Sequence, residues 1–508
     1  MRYDVAIVGY GPTGMALAAL LGQRGRKVLI LERYKGLYNL PRAAAFDDET
    51  MRTFQSLKIA EKMLPGTNVQ KGYVWVNGAG EVLLDVEYDN PGRCGWPAQY
   101  MMYQPHMEDV FDKKIRSMPN IDLCQGQTVF EIEQDDEGVT IRSRSEDGKE
   151  AVSLARWLIG CDGGNGFVHN YMGCGLDDYN FFENWLVCDF KMHHTVRGLP
   201  SFRQICNPAQ PISIVNIGPN HHRFSFRLDP EADRAELMKP ENVWPRVSEF
   251  FGPKDADLIR VANYTFRSCV VETWRKGRVM LAGDAAHQMP PFLAQGMVSG
   301  IRDARNLDWK LDMVLSGAPD SILDSYQVER EPHVRFIIEK AVELGRVQTM
   351  RDPAQAKARD ERMIAARKAN QKPDKFVYPA LKEGIILNDG RLFPQGLVSN
   401  SSQTAMFDDI AGARWLIVVK SPDILKLLPE KTKTNWEAIG GGYAQFGLSS
   451  TVGGSNLSDT GGVYTRWFDE TGALAAIVRP DSHTYAIIQA PDDLDKITCN
   501  LLGSLGRH

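Results

Sequence analysis

Residues 3–8, Tyr-Asp-Val-Ala-Ile-Val, read as a buried strand, and Gly9-Tyr-Gly11-Pro-Thr13-Gly14 follows at once. Met15 to Arg24 then reads as a helix whose Ala16, Ala18 and Ala19 permit close packing, and Lys27 to Glu32 reads as a second strand. A strand, a glycine-rich turn, a helix and a second strand within about 30 residues form one βαβ unit. Gly9 serves the tight turn, Gly11 lets backbone approach a pyrophosphate, and Gly14 lets helix and strand close up. The helix N-terminus offers free N–H groups and partial positive charge to phosphate. Glu32 lies 18 residues past Gly14, placed to accept hydrogen bonds from a ribose diol. The unit therefore predicts dinucleotide binding, although glycines of this kind can also make a simple turn.

A chain of 508 residues exceeds one ordinary domain. With 43% hydrophobic and 24% charged residues it can bury a large core. The formal net charge of −5, without a clustered basic face, excludes a nucleic-acid partner. No run of about 18 apolar residues predicts a membrane span. The first strand starts at Tyr3 with no secretory pattern before it. The eight cysteines are scattered, with neither Cys-x-x-Cys nor zinc spacing. Reduced thiols in a cytoplasmic protein without a metal are expected.

A second motif separates FAD from NAD. Gly277 to Gly283-Asp284-Ala-Ala-His287 puts an acid at the exit of a strand, and Pro290-Pro291 and Gln295-Gly296-Met297 follow. Asp284 suits the ribityl hydroxyls of a flavin, or it merely caps a helix. The turn at Gly296-Met297 offers N–H groups to the electron-rich end of a reduced isoalloxazine. A third motif, Gly160-Cys161-Asp162-Gly163, also follows a buried strand and is either a loop holder near the pyrophosphate or an ordinary Asp-Gly turn.

Elsewhere, 47–62 shows helical periodicity, 73–88 reads as a hairpin around Asn77-Gly-Ala-Gly80, and Pro105–Ile115 reads as a helix. Several strands are expected over 121–160. The stretch 185–270 alternates like one large antiparallel sheet. Residues 350–375 read as a solvated helix and linker. Arg414–Val419, Val463–Phe468 and Ala473–Val478 read as strands of a smaller α/β unit.

The three motifs, in this order, resemble the single-component aromatic hydroxylases, the group A flavin monooxygenases with the p-hydroxybenzoate hydroxylase fold. Leu40-Pro-Arg42-Ala, Asp47-Asp-Glu-Thr and Gly296-Met-Val-Ser-Gly300-Ile-Arg-Asp-Ala304 resemble the 3-(3-hydroxyphenyl)propionate hydroxylase branch. The resemblance covers roughly residues 1–400, and the tail with Val478-Arg-Pro-Asp481 is similar to a C-terminal thioredoxin-like domain. Lacking Cys-x-x-Cys, that tail carries no expected redox role.

The resemblance implies an α/β chain: a Rossmann-like FAD-binding domain, an inserted antiparallel β-sheet substrate domain and a thioredoxin-like C-terminal domain. The FAD-binding parts fall at 1–72, 104–175 and 272–345, the substrate domain at 73–103 and 176–271, a helical linker at 346–390 and the last domain at 391–508. It implies that Gly9, Gly11, Thr13 and Gly14 cradle the pyrophosphate. Glu32 would hold the adenosine ribose with Arg33 beside it. Arg42 and Gln104 would reach the phosphate and ribityl region, and Val129 would lie near the adenine. Asp162 and Gly163 would border the cofactor. Gly283 and Asp284 would hold the ribityl chain, Pro291 would line the reactive face, and Gly296 and Met297 would meet the pyrimidine edge.

The implied activity uses NADH or NADPH and O₂ to hydroxylate a small phenolic or other aromatic substrate through a C4a-hydroperoxyflavin. Epoxidation or Baeyer–Villiger oxidation by the same chemistry stays open, as does a flavin-binding protein that has lost reduction. Asp47 is the candidate base for a phenol, or else a helix cap. His287 either donates to an oxygen or packs in its turn. Arg203, Arg223 and Arg227 either bind a substrate carboxylate or are solvated strand arginines. Trp185, Phe224 and Phe226 line the pocket or pack the core. The family's usual Ser and Arg after its Asp-Gly motif fall at Gly166 and His169, a usual Gly falls at Ala294, and Val298 replaces a polar or small residue. Family members are often dimers, which leaves a homodimer open.

Overall fold

The computed structural model describes residues 2–373, 376–446 and 455–507. Five parallel strands form the heart of the first domain, in the order Val279–Leu281, Glu150–Gly160, Arg2–Val8, Val28–Glu32 and Ile121–Gln125. Their apolar runs are buried on both faces, as parallel strands covered by helices require. Two antiparallel strands, Gln127–Gln134 and Val139–Ser145, extend this sheet through the first half of Glu150–Gly160. Helices Pro12–Gln23 and Gly296–Leu315 pack against each other, their small residues allowing close approach.

Register does the positioning. Val8 stands opposite Gly160, and Gly160 stands opposite Leu281. The three strands end level, so the turns that follow them meet at one edge of the sheet. Ligands of open α/β sheets bind beyond these carboxyl ends.

The second layer is a seven-stranded sheet, in the order Ala256–Phe266, Glu183–Met192, His221–Arg227, Ile212–Asn216, Phe202–Ile205, Gly72–Val76 and Val82–Glu87. It is antiparallel except for one parallel pair, Phe202–Ile205 with Gly72–Val76. The two faces separate cleanly: Trp185 and Val187 join the core of the first domain, while Leu186, Cys188 and Phe190 pack under Val243, Val247 and Phe251. Asp189 shares the inner face by the period of two.

The expected helix over 47–62 is two helices, Asp48–Ser56 and Ala60–Met63, broken where Lys58 adopts φ 60°. Within 350–375, Pro353–Lys368 is helical; positions 374 and 375 lie outside the described residues.

The C-terminal unit centres on a seven-stranded sheet that includes Leu416–Val419, Gly442–Phe446 and Ala475–Val478. Val463–Phe468, expected as a strand, belongs to the helix Val463–Thr471. Its β-branched and aromatic composition suggested a strand, but Tyr464 and Phe468 are buried four residues apart, and left-handed Gly462 and Gly472 bracket it. This unit is locked to the first domain. Arg52 makes a buried two-pronged pair with Asp408, 2.7 and 2.8 Å, and Arg479 reaches Glu329 at 2.8 Å.

Candidate functional site

The level strand ends place Gly9, Cys161 and Gly283 side by side. A Cβ on Gly9, which has φ +105°, would collide with the Cys161 carbonyl, and one on Gly14 with the Gly9 carbonyl. A Cβ on Gly283, φ +63°, would run into Thr13. Thr13 therefore locks the first glycine turn to the Gly-Asp turn. Gly11 differs: a Cβ there meets nothing within 4 Å, and its φ of −86° suits any residue. Its bareness has no packing reason within the protein. Gly11 caps the helix that starts at Pro12, so open space lies just where phosphate binds a helix N-terminus.

At the end of its strand, Glu32 accepts the Tyr10 N–H at 2.7 Å on one oxygen and the Tyr34 N–H at 2.9 Å on the other. Each oxygen keeps a lone pair for a diol. Arg33 is exposed beside it, stacked on Tyr34, and Val129 is buried in the strand that packs beside this end.

The Pro41–Ala43 loop is held from two sides. Gln104 Oε1 accepts the N–H groups of Arg42 at 3.2 Å and Ala43 at 2.6 Å. From the sheet, Arg223 donates to the carbonyls of Arg42 at 2.6 Å and Pro41 at 3.0 Å, and Arg260 also donates to Pro41. Buried Asp189 fixes both guanidiniums, at 2.6 Å from Arg223 and 3.4 Å from Arg260. The Arg42 side chain stays half exposed, leaning on Tyr38.

Asp284 has an accessible carboxylate with no hydrogen-bond partner among the described residues. Protein nevertheless encloses it, and this desolvation raises its pKa, with His287 and Arg42 pulling the other way. Tyr264 behaves alike: it is 47% exposed, yet burial inside the protein raises its hydroxyl to about 12. Accessible groups that are desolvated line an interior cleft. Asp284 there fits the hydroxyls of a ribityl chain, and with open Gly11 and Glu32 it gives FAD a matching donor and acceptor set.

Pro291 is exposed on the cleft, and Gly296 and Met297 open the 20-residue helix Gly296–Leu315. Phe292 anchors the intervening loop among Trp185, Phe181 and Phe266, with ring centroids 6.2, 6.1 and 5.5 Å away. Ala294, where a glycine is usual, adopts left-handed φ 55°.

His287 packs in its turn and Asp47 caps its helix, the plainer of the two expectations for each, whereas Arg223 and Arg227 are neither solvated nor unpaired. His287 is not at the cleft: it is sealed at 2% exposure, with Nε2 2.6 Å from Asp303 Oδ2, so it braces the Gly-Asp turn. Asp47 is the helix cap, and both its oxygens are engaged. Oδ1 accepts from Thr50 N at 3.0 Å and Thr50 Oγ1 at 2.9 Å, and Oδ2 pairs with Arg302. Buried at 2% exposure and paired with Arg302, this carboxylate is shielded from acting as a base. Arg223 and Arg227 are not solvated; Arg227 is buried, donating to the Thr349 carbonyl at 3.3 Å and to Asp229. Of the aromatic set, Trp185 faces the first domain, whereas Phe224 and Phe226 pack in the outer core.

Asp162 caps the helix Phe167–Met172 by accepting the Val168 N–H at 2.8 Å, and burial raises its pKa to about 6. Gly163 makes the turn with φ 81°. A side chain at Gly166 would collide with the Asp162 carboxylate, and His169 Nδ1 lies 2.8 Å from the Ala285 carbonyl. The two departures from the usual Ser and Arg thus have a local structural reason.

Sequence reading missed Arg302, Asp189, Arg260 and Tyr264. Arg302 bonds Gln295 at 2.7 Å and Glu49 at 2.9 Å besides Asp47. It joins the start of the Asp48–Ser56 helix to the loop before Gly296. Such partners lie far apart in sequence and leave no local signal.

The family model described as FAD binding domain matches residues 2–341, and one described as HcaD C-terminal domain matches 390–503. The chain is 63% identical to the probable NADH-specific resorcinol 4-hydroxylase of Rhodococcus jostii, over 99% of this chain and 95% of that protein. It is 30% identical to the 3-(3-hydroxy-phenyl)propionate/3-hydroxycinnamic acid hydroxylase of Mycolicibacterium gilvum, over 94% and 88%. Among solved structures, the flavin-dependent monooxygenase PieE, bound to FAD and substrate, superposes with TM-score 0.83 at 20% identity, covering 99% of both chains. Aklavinone-11 hydroxylase superposes with TM-score 0.80 at 22% identity, again over 99% of both. The convergence of three turns on one cleft, the family match over 2–341 and the identity along nearly the whole chain lead to one conclusion: this chain belongs to the FAD binding domain family, and it is a flavoprotein monooxygenase of the aromatic hydroxylase kind.

Proposed function

We propose that this monooxygenase takes its electrons from NADH and hydroxylates a neutral dihydroxybenzene of the resorcinol class. The 63% identity along 99% of the chain to the Rhodococcus protein carries this reading. The charge on the inner sheet face supports it. Arg223 and Arg260 are held by Asp189 and backbone carbonyls, and Arg227 is buried on Thr349 and Asp229. Arg223 and Arg260 already have their acceptors, which favours an uncharged ring over one bearing a carboxylate at that end of the sheet, while Arg227 keeps one unpartnered Nε away from it, beside Thr349.

When bound, FAD supplies activation of O₂ with electrons from the nicotinamide. The chain supplies the rest. Gly9, Gly11, Thr13 and Gly14 seat the pyrophosphate at the helix N-terminus. Glu32 takes the ribose with Arg33 and Val129 beside the adenine, and Asp284 takes the ribityl chain with Gly283 giving it room. Arg42, set by Gln104, serves the phosphates, and Gly296 and Met297 meet the ring edge. Asp162 and Gly163 act indirectly, by shaping the neighbouring turn. Pro291 and the anchored Phe292 wall the cleft and exclude water, which keeps oxygen transfer productive. The reaction consumes resorcinol, NADH, a proton and O₂, and yields benzene-1,2,4-triol, NAD⁺ and water.

Steady-state oxidation of NADH and NADPH by the FAD-loaded enzyme tests this, with resorcinol and 3-(3-hydroxyphenyl)propionate as competitors and peroxide assayed in parallel. NADH with resorcinol should give the triol with little peroxide. Faster turnover of the propionate, or preference for NADPH, would overturn the reading.

A further inference from the structure

We propose that Gln204, Ser213 and Ser225 form a neutral hydrogen-bonding row that selects the substrate by holding the ring hydroxyl not involved in oxygen transfer. This rests on the resorcinol-class reading above.

The row follows from register. Gln204 is the cross-strand partner of Ser213, Ser213 of Ser225, and Ser225 of Val187. Directly opposed residues share a face of the sheet. Val187 belongs to the core continuous with the FAD-binding domain, so the whole row faces that domain. The loop before Gly296 brackets it. Phe292 packs on Trp185, two residues along the strand from Val187 on one side. Ala294 packs against the cluster that holds Val215, two residues along from Ser213 on the other side, and Phe202 packs on that same cluster two residues from Gln204. A ring lying between this loop and the sheet therefore rests on the row.

Its hydrogen-bonding capacity is open. Gln204 is 2% exposed and its Nε2 has no partner, so it reaches a ligand by a side-chain rotation toward the partly accessible Ser213 beside it. The Ser213 and Ser225 side chains make no hydrogen bond among the described residues, and both remain partly accessible in mid-sheet. A buried amide without a partner forfeits the hydrogen bond it had in water. A ligand hydroxyl that completes it recovers this, and a ligand lacking the hydroxyl does not. The amide and the two hydroxyls can both donate and accept, which matches a phenol and gives a carboxylate no counter-charge.

The test compares kcat/KM for resorcinol and phenol in the wild-type enzyme, Ser225→Ala, Gln204→Leu and the conservative Ser225→Thr. FAD content, thermal melts and the flavin reduction rate with NADH alone serve as folding and cofactor controls. The wild type should prefer resorcinol. Ser225→Ala and Gln204→Leu should each lower kcat/KM for resorcinol at least about tenfold while leaving phenol within about threefold, and Ser225→Thr should retain most of the preference. If the wild type prefers resorcinol and the folded variants keep that preference, the row has no selective role. If the wild type does not prefer resorcinol, the substrate reading itself fails and the row's role falls with it.

Discussion

His287 Nε2 lies 2.6 Å from Asp303 Oδ2, and both side chains are sealed behind the turn that carries Asp284. Asp303 also accepts the Gly283 N–H at 3.0 Å and the Arg330 Nε–H at 2.9 Å. Burial alone would raise its pKa, but His287 and Arg330 outweigh burial and lower it to about 2. A carboxylate held below its unfolded value of about 4 stabilises the fold at all pH above that value. The contribution fades as pH falls from about 4 through about 2. Asp303→Asn should therefore destabilise the protein at pH 7, and the gap from wild type should shrink over that acid window. Denaturant melts at pH 7, 4 and 3 measure it; a gap that is constant or widens in acid would refute the assignment.

Arg302 sits between Asp47, Glu49 and Gln295, with Tyr378 beneath its guanidinium at 4.7 Å. Burial raises the Glu49 pKa, and Arg302 and Arg93 overcome this to bring it down to about 2. Arg302→Met would leave the two carboxylates only Arg93, 4.0 Å from Asp47 and 3.5 Å from Glu49, and breaking a buried pair costs about 3–5 kcal/mol. The loss should be larger at pH 7 than at pH 4, since a protonated carboxyl has less need of its cation. Because Gln295 precedes the turn at Gly296, FAD affinity should fall too. Thermal melts with and without added FAD separate the two effects. A variant as stable as wild type would show that the network contributes nothing.

These two clusters mark where the sequence becomes unreadable. The turns that carry Gly9 to Gly14, Glu32 and Asp284 were legible because each is set by its own backbone, and their roles toward FAD stay proposals. The polarity of the chain also exposed the alternation of the second sheet. Arg302 meets Asp47 across 255 positions, and Asp189 holds two arginines from other strands; only register decides such contacts. Asp47 shows how a local reading can be right about the cap and wrong about the chemistry, since a partner from afar takes the remaining oxygen. Val463–Phe468 failed for another reason: strand-prone residues were overridden by the four-residue spacing of two buried aromatics.

Ala294 carries left-handed φ 55° in the loop that faces the sheet. For a residue with a Cβ this conformation costs about 1–2 kcal/mol, while glycine brings about 0.5–1 kcal/mol of extra chain entropy. Ala294→Gly should therefore be neutral or stabilising by up to about 1 kcal/mol. Ala294→Val should destabilise, because a β-branched side chain tolerates this region worst. Equal melts for the two variants would mean that the backbone there relaxes.

Gly9 and Gly11 separate folding from cofactor binding within a single motif. A methyl on Gly9 meets the Cys161 carbonyl at positive φ, so Gly9→Ala should unfold or badly destabilise the first domain. A methyl on Gly11 meets nothing within 4 Å, and its backbone is in an ordinary region. Gly11→Ala should therefore melt within about 0.5 kcal/mol of wild type when both are stripped of FAD. It should nonetheless bind FAD at least about tenfold more weakly, or about 1.4 kcal/mol, because the methyl enters the space the pyrophosphate needs. Stability of the apoprotein and titration of FAD by quenching of its fluorescence give the two numbers independently. Unchanged affinity with intact folding would place the dinucleotide elsewhere, whereas lost folding would mean that Gly11 is needed by the turn itself.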